Sequence, residues 1–192
     1  MSYIIGVDTG LRGAMATIDK EGSVVDLINM PIITAFGKIK YDFKHLVKIL
    51  KDLISKLSSP VTMQTGTGSF VTEAKKITIV IEETFPMPKI LGGSSIASWS
   101  LGAGYMLIIG MVEMLECPYD VVAPRTWQRE FFKGKVGESK LLAYQTALRL
   151  FPGVELSRTN REGKTVMIEG RSDALLIAEY YRRKLLGLAI DK

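Results

Sequence analysis

The sequence is short of the residues that build disulfides and zinc sites. Its only cysteine is Cys117, which excludes an internal disulfide and a zinc site built from cysteines. A lone thiol also fits a reducing compartment, and we expect a cytoplasmic protein. His45 is the only histidine, so a catalytic metal ion would be held mainly by carboxylates. That donor type favours Mg²⁺ or Mn²⁺ over zinc.

A strong excess of one charge is also missing, and no segment reads clearly as a membrane span. Lysine and arginine number 25 against 20 acidic residues, and the resulting charge of +5 is compatible with a polyanionic partner without requiring one. The apolar stretch 96–115 is interrupted by serine and glycine, so we expect a core or interface helix and no contact with a membrane. With 47% hydrophobic residues, the 192-residue chain should form a single domain, 1–192.

The first strand pattern ends in a carboxylate. Ile4–Val7 reads as a buried central strand, and Asp8, Thr9 and Gly10 follow it. A carboxylate is almost never fully buried unless it is paired or bound to a metal. Asp8 therefore either caps the turn at Thr9 and Gly10 or anchors a metal or phosphate site, and the local pattern leaves both open.

Apolar periodicity predicts an α/β layered fold with a mixed five-stranded sheet, whose first three strands form an antiparallel meander. The strands are predicted at 4–7, 13–19, 23–30, 77–85 and 119–122. The helices are predicted after the cap Asp42 and at 95–116, 126–132, 138–151 and 171–186. The connecting segments are 31–40, a flexible loop at 58–76 that is rich in Ser, Thr and Gly, and a polar loop at 152–168.

Four carboxylates are candidates for one site. Asp8 and Glu82 end two strands which, if adjacent, place them within about 5–8 Å. Glu169 and Asp173 are one helical turn apart near the start of the last helix, although an acid in a first turn is also ordinary. Glu83 should point to the opposite face and is the reserve candidate. Without a cation such a cluster would be costly, whereas two Mg²⁺ ions would suit it to phosphodiester hydrolysis.

Several motifs together resemble a known family. IIGVDTG at 4–10 resembles the first motif of the RuvC family of Holliday junction resolvases, which belong to the RNase H-like superfamily. IEETF at 81–85 is similar to the second motif, and SDALLIA at 172–178 to the closing one. VVAPRTW at 121–127 and ESK at 138–140 lie where the family has a strand-to-helix turn and a lysine-bearing helix start. The version here looks most like the bacteriophage-type resolvases.

The resemblance implies an RNase H-like three-layer fold and a metal-dependent endonuclease that resolves four-way junctions and other branched DNA by paired nicks. It makes Asp8, Glu82 and Asp173 ligands of two ions, Mg²⁺ with Mn²⁺ as a substitute. Lys140 would act at the scissile phosphate, and Phe85 would wedge into the junction. If the protein is phage-encoded, its location would be the cytoplasm of the bacterial host.

The sequence departs from the family pattern at one position. The family usually has a second acid three residues before the final Asp, where this chain has Gly170, and Glu169 is the expected substitute. Basic loops should add phosphate contacts, from Lys133, Lys135, Arg158, Arg161 and Lys164. A homodimer is expected because a two-fold junction needs two matched nicks, with the helix at 95–116 as the contact. Trp99 and Trp127 are expected in the core or at an interface.

Other functions stay open at this point. An actin-like or sugar-kinase-type ATPase also has Asp-x-Gly after a first strand, although that architecture duplicates the domain. A non-catalytic DNA-binding protein on an RNase H-like fold is the second alternative, and the three acids at the motif positions argue against it. The preferred branched substrate, whether junction, fork or flap, is also open.

Overall fold

A five-stranded mixed sheet lies at the centre of the computed structural model, which describes residues 2–58, 62–65, 68–71, 76–84, 95–133 and 138–188. The strands are β1 (Ser2–Val7), β2 (Ala14–Asp19), β3 (Val24–Asn29), β4 (Ile32–Ala35), β5 (Lys38–Tyr41), β6 (Thr62–Thr65), β7 (Gly68–Val71), β8 (Lys76–Glu82), β9 (Tyr119–Val122), β10 (Ser157–Thr159) and β11 (Thr165–Met167). The helices are α1 (Phe43–Ser58), α2 (Ser95–Met114), α3 (Pro124–Phe132), α4 (Ser139–Leu150) and α5 (Glu169–Leu186).

The sheet has the strand order β3-β2-β1-β8-β9. Strands β1, β2 and β3 pair antiparallel, whereas β8 runs parallel to both β1 and β9. The central strands β1 and β8 are nearly continuous apolar runs because helices cover both of their faces. The predicted mixed sheet with an antiparallel meander is therefore confirmed.

Two hydrophobic clusters separate the sheet from its helices. One packs β1, β2, β8 and β9 against α3, α4 and α5, with residues such as Val80 and Leu175. The other packs the opposite face against α1 and α2, with Ile5, Leu50 and Ile108. Successive residues of a strand point to opposite faces, so the two clusters share the strands in alternation. This arrangement is the predicted three-layer architecture, a sheet with helices on both faces.

Short hairpins form where the sequence predicts loops. The predicted connection at 31–40 is wrong, because β4 and β5 pair there, and β10 with β11 similarly replaces most of the polar loop at 152–168. These four strands are mostly exposed, so they lack the alternation of buried and exposed residues that marks a strand of the core. Within 58–76, β6 pairs with β7, and the flexibility of that segment stays a prediction.

The helix bounds agree with the sequence within a few residues. Asp42 caps α1 as predicted, since its carboxylate accepts a 3.0 Å hydrogen bond from the backbone N–H of His45. Helix α5 begins at Glu169, two residues earlier than predicted, and this places Glu169 and Asp173 on consecutive turns. Among the residues that the structure describes, no helix is long and apolar enough to cross a membrane.

Candidate active site

Asp8 and Glu82 lie next to each other at the same end of two neighbouring strands of the central sheet. Val7 is the register partner of Ile81 in the parallel pair β1–β8, so the next residue on each strand is one of the two acids. The pleat turns both acids to the face covered by α5, as it does Val80 two residues earlier. The first two predicted acids therefore share one end and one face of the sheet.

Close packing of α5 on β1 brings in the third acid. A Cβ on Gly6 would overlap the carbonyl oxygen of Ala174 and lie 2.6 Å from the backbone nitrogen of Ala178. Only glycine allows this approach. Asp173 immediately precedes Ala174, so the packing carries its carboxyl to the strand ends beside Asp8. The structure thus brings together the three predicted metal ligands, whose roles stay a prediction.

Packing also explains the departure at Gly170. A Cβ at this position would overlap the carbonyl oxygen of Arg12 and the backbone of Gly13. The first turn of α5 rests on the turn between β1 and β2 at this point, so no acidic side chain fits. Glu169, one residue earlier, keeps part of its side chain in solvent and contributes negative charge to the cluster instead.

A tryptophan side chain hydrogen-bonds to the carboxylate of Glu82. The indole Nε1 of Trp127 donates a 2.9 Å hydrogen bond to Oε1 of Glu82, and the ring is fully buried. Burial, followed by the negative charges of Asp8 and Asp173, raises the pKa of Glu82 to about 8 against the opposing effect of this hydrogen bond. From the sequence, Trp127 is expected only in the core or at an interface. A buried indole N–H requires a hydrogen-bond acceptor, and this requirement is the signal in the sequence that points to a partner such as Glu82.

Asp8 and Asp173 are the other two partly buried acids of the cluster. Burial raises the pKa of Asp173 to about 7, with Asp8 and Glu169 adding to the rise and Lys140 opposing it. Burial also raises the pKa of Asp8, although its Oδ1 accepts a 2.9 Å hydrogen bond from the N–H of Gly10. Asp8 thus caps the turn and also belongs to the cluster. Because the acids raise one another's pKa values, negative charge at this end of the sheet is poorly compensated.

Lys140 supplies a cation at the edge of the cluster. Its Nζ lies 2.5 Å from Oε2 of Glu169, and this ion pair links the first turn of α4 to the first turn of α5. Both side chains are partly exposed, so the pair faces solvent rather than the core. In this structure the charge of Lys140 is directed to Glu169, and contact of its ammonium with a phosphate stays a prediction.

Two hydroxyl contacts fix the turn that follows Asp8. The Tyr41 hydroxyl donates a 2.8 Å hydrogen bond to the carbonyl oxygen of Thr9, and the hydroxyls of Thr9 and Thr84 lie 2.8 Å apart. Burial and then the charge of Asp8 raise the pKa of Tyr41 to about 12, so the phenol keeps its proton. These contacts tie β5 and the end of β8 to the candidate site.

Glu83 lies on the other face of the sheet. Its charge adds to the effect of burial in raising the pKa of Tyr105 on α2, the helix that covers the opposite face from α5. The prediction that Glu83 points away from Asp8 is confirmed. An acid beside Glu82 in sequence, but outside the cluster in space, is a natural control for mutagenesis.

The donor chemistry fits a hard divalent cation. The cluster offers only carboxylate oxygens, which suit Mg²⁺ and Mn²⁺. His45 lies on α1, across the sheet from α5. Within the described ranges no group of three or more His, Cys, Asp or Glu side chains is arranged to hold a metal ion. Three of the four carboxylates already have partners, Glu82 an indole, Glu169 a lysine and Asp8 the N–H of Gly10, so a bound ion would require rearrangement of side chains.

The predicted DNA-contacting residues lie mostly at the surface. Those that the structure describes are all exposed: Lys133, Lys140, Arg158, Arg161 and Lys164. Arg158 belongs to β10, and Arg161 and Lys164 lie in the turn that joins β10 to β11. Phe85 and Lys135 lie outside the described residues. Contact of these side chains with DNA stays a prediction.

Solved structures of RuvC share this fold. RuvC of Thermus thermophilus in complex with a Holliday junction substrate matches with a TM-score of 0.55 at 10% identity, over 99% of this chain and 99% of that one. A second Thermus thermophilus RuvC structure matches with a TM-score of 0.53 at 13% identity, over 98% of each chain. Comparison with protein-family models and with curated protein sequences gives no match. The chain therefore has a RuvC-like, RNase H-like fold.

Proposed function

We propose that this protein is a metal-dependent, structure-selective endonuclease that resolves four-way DNA junctions and related branched DNA by paired nicks. The observation that carries the proposal is the convergence of Asp8, Glu82 and Asp173 at one end of a RuvC-like sheet, with raised pKa values. Partly buried acids that repel one another weaken a fold, so their presence together points to a function. A bound divalent cation would remove the repulsion.

Each residue of the cluster has a role in this proposal. Asp8, Glu82 and Asp173 would hold Mg²⁺ or Mn²⁺, with Glu169 as a further ligand once it leaves Lys140. When bound, two such ions would activate a water molecule and stabilise the leaving oxygen of a phosphodiester. Lys140 would turn its ammonium from Glu169 to the phosphate of the substrate.

Branched DNA is the proposed substrate class. One of the Thermus thermophilus RuvC structures is bound to a Holliday junction, and this chain has the same fold over nearly its whole length. The exposed lysines and arginines named above, with a formal charge of +5 for the whole chain, suit a polyanion. Phosphate contacts of this kind predict an affinity that falls steeply with salt.

We also propose that the enzyme acts as a homodimer through the outer face of α2. Trp99, Met106 and Met114 lie along one side of this helix and are 76%, 61% and 86% exposed, whereas Ile108 and Val112 on the inner side are buried. A row of large apolar side chains left in water is typical of an interaction surface. A two-fold axis beside α2 would give one active site for each of two opposed strands.

Not all the small residues of α2 serve that surface. A Cβ on Gly104 would overlap the hydroxyl of Tyr41, so this glycine makes room for a residue of the same chain. Gly102 and Gly110 have open space at the Cβ position. These two remain available for close approach of a second copy, while Gly104 does not.

A cleavage panel tests the proposed activity. Labelled junction, fork, flap and duplex DNA are incubated with Mg²⁺ or with EDTA, and the wild type is compared with Asp8→Asn and Asp173→Asn. We expect Mg²⁺-dependent cleavage of branched DNA that falls at least about a hundredfold in both variants, because each removes a charged ligand. Glu83→Gln is the matched control and should keep wild-type cleavage. Undiminished cleavage by Asp8→Asn would refute the assignment.

The alternatives give different results in the same experiments. A non-catalytic DNA-binding protein would bind the junction and leave it intact even with Mn²⁺. An ATPase of the actin-like or sugar-kinase type would bind ATP tightly, which isothermal titration calorimetry measures directly. The described residues form one five-stranded sheet, whereas such ATPases place ATP between two domains of this kind.

A further inference from the structure

The hairpin of β4 and β5 places an aromatic ring in solvent. It forms a two-stranded sheet separate from the central sheet, and Phe36 at its tip is 97% exposed. Ile33 and Ile39, on opposite faces of the hairpin, are each about half exposed. Burial in the core therefore does not account for this aromatic tip.

The backbone makes the choice of Phe36 more unusual. Ala35 pairs with Lys38, so Phe36 and Gly37 form a two-residue turn, and their φ angles are +52° and +71°. Positive φ at both positions defines a turn that favours Asn-Gly, and an aromatic residue at the first position is unfavourable. A strained, exposed aromatic residue gains nothing from the fold, which points to a use outside it.

Positive charge surrounds the ring. Lys38 and Lys40 are two residues apart on β5 and so share one face of the hairpin, and Nζ of Lys40 lies 5.8 Å from the centroid of the Phe36 ring. No acidic residue occurs between positions 27 and 41. An aromatic ring flanked by lysines, without acids, has the chemistry of a surface that stacks on a base and binds the adjoining phosphates.

The last residue of the hairpin contacts the candidate active site. Tyr41, the last residue of β5, donates its hydroxyl hydrogen bond to the carbonyl of Thr9, directly after Asp8. The strand Lys38–Tyr41 and the two turn residues before it place Phe36 at most about 15 Å from Tyr41 along the hairpin. This distance is about half a helical turn of duplex DNA. A DNA strand bound at the carboxylate cluster could therefore also contact Phe36 at the tip of the hairpin.

We propose that the β4–β5 hairpin is a DNA-binding arm in which Phe36 stacks on a base exposed at the branch point while Lys38 and Lys40 contact the flanking phosphates. The inference rests on the proposed function and adds a contact surface to it. A second copy of the chain is a less suitable partner, because two such arms would bring four lysines together.

Binding to a fluorescent four-way junction in EDTA, followed by anisotropy, tests the arm without cleavage. Phe36→Asn removes the ring and creates the favoured Asn-Gly turn, so it should melt at or above the wild-type temperature and still bind about 5–50-fold more weakly. Phe36→Tyr keeps a stacking ring and should bind within about twofold of wild type. Leu185→Asn, which alters an exposed apolar residue at the end of α5, is the control and should bind as wild type.

The lysines are tested by the salt dependence of the same affinity. Lys38→Ala combined with Lys40→Ala should lower the slope of log affinity against log salt by about 2, one for each lost phosphate contact. Lys20→Ala is the matched control, since Lys20 follows Asp19 at the opposite end of the sheet from Asp8. Its slope should fall by less than about 0.5.

The experiments distinguish a failure of the proposed DNA-binding arm from a failure of the proposed function. If the wild type binds and cleaves junctions while Phe36→Asn binds equally well, the arm is wrong and the proposed function stands. If Phe36→Asn changes only self-association in analytical ultracentrifugation, the hairpin contacts a second copy and the arm is again wrong. If the wild type binds no branched DNA, the proposed function fails and the arm fails with it.

Discussion

The indole nitrogen of Trp127 donates a 2.9 Å hydrogen bond to the carboxylate of Glu82, across 45 positions of sequence. The bond joins the first turn of α3 to the end of β8, with the indole ring fixed in the core. It leaves Glu82 fewer rotamers and lowers its pKa against the effects of burial and of Asp8. Trp127 is therefore a positioning residue for the candidate ligand Glu82.

Removing this donor should affect metal binding more than folding. In Trp127→Phe the aromatic bulk largely remains while the hydrogen bond to a carboxylate is lost, and we expect a loss of about 1–3 kcal/mol in the free energy of unfolding. Glu82 should then bind protons more tightly, so the Mn²⁺ concentration needed for half-maximal cleavage should rise several-fold near pH 7. Phe131→Leu, in the same helix and core, should lose similar stability without that rise. An equal rise in both variants would contradict the positioning role.

Stability without metal should fall as the pH increases. Glu82 and Asp173 titrate near 4.5 and 3.8 in an unfolded chain and near about 8 and about 7 in the folded protein. Between these limits the folded chain retains protons that the unfolded chain has released, so the free energy of unfolding decreases from about pH 4 to about pH 8. The slope reaches at most about 1.4 kcal/mol per pH unit for each retained proton.

Urea unfolding in EDTA across this pH range checks the expectation. Asp8→Asn should flatten the slope, because it removes a charge that raises the pKa values of both other acids. Mg²⁺ should oppose the decrease if it binds the folded protein alone. A stability that rises with pH over the same range would contradict the assignment of partly buried, mutually repelling acids.

Binding of a divalent cation should release protons. At about pH 6.5 the raised pKa values keep Glu82 and Asp173 largely protonated, and a metal ion displaces protons from its carboxylate ligands. Calorimetric titration with Mn²⁺ in two buffers of different ionisation enthalpy should show about one to two protons released per site. At about pH 9 the release should disappear. Glu83→Gln, outside the cluster, should release as many protons as the wild type.

An acid placed at position 170, where the family motif has one, should damage the protein. In Gly170→Asp the new Cβ overlaps the backbone of Arg12 and Gly13, and the loss of stability should reach about 2 kcal/mol or more. Cleavage should fall with it. Gly110→Ala, in a helix with open space at the Cβ position, should gain up to about 1 kcal/mol. Thermal unfolding of both variants checks the contrast, and a stable, more active Gly170→Asp would contradict the packing argument.

A charge on the outer face of α2 should break the dimer. Met106→Glu introduces a carboxylate in the middle of the exposed apolar row, and we expect a dissociation constant raised at least about tenfold, with the monomer remaining folded. Sedimentation velocity over a concentration series measures the change. Val25→Glu, at another exposed apolar site on β3, should sediment as the wild type. A wild type that stays monomeric at high concentration and on DNA would exclude the dimer.

Much of the fold follows from the sequence because strand and helix periodicities are local signals. The apolar runs around Ile5 and Ile79 mark the two central strands, and their buried character indicates helices on both faces. Period two also separates Glu82 from Glu83, as the structure confirms. The prediction that Asp8, Glu82 and Asp173 meet at one place follows from the same rules, with the family resemblance added.

Features that depend on contacts between distant segments required the tertiary structure. Nothing near Trp127 in the sequence indicates a bond to Glu82, and nothing near Lys140 indicates its pairing with Glu169. Similarly, the sequence shows only that Gly170 replaces an acid of the family motif. The structure shows that the backbone of Arg12 and Gly13 occupies the space that a side chain at position 170 would need.

The sequence by itself determined the order of the five central strands and the five helices, the faces they bury and the acids at their ends, because each depends on neighbours along the chain. The tertiary structure decided which partner each acid has, how strongly burial raises its pKa, and that a strained Phe36 is exposed at the tip of a hairpin whose other end contacts the site. Those properties arise from packing and solvent exclusion between segments far apart in sequence. Local sequence patterns therefore cannot predict this packing or this solvent exclusion.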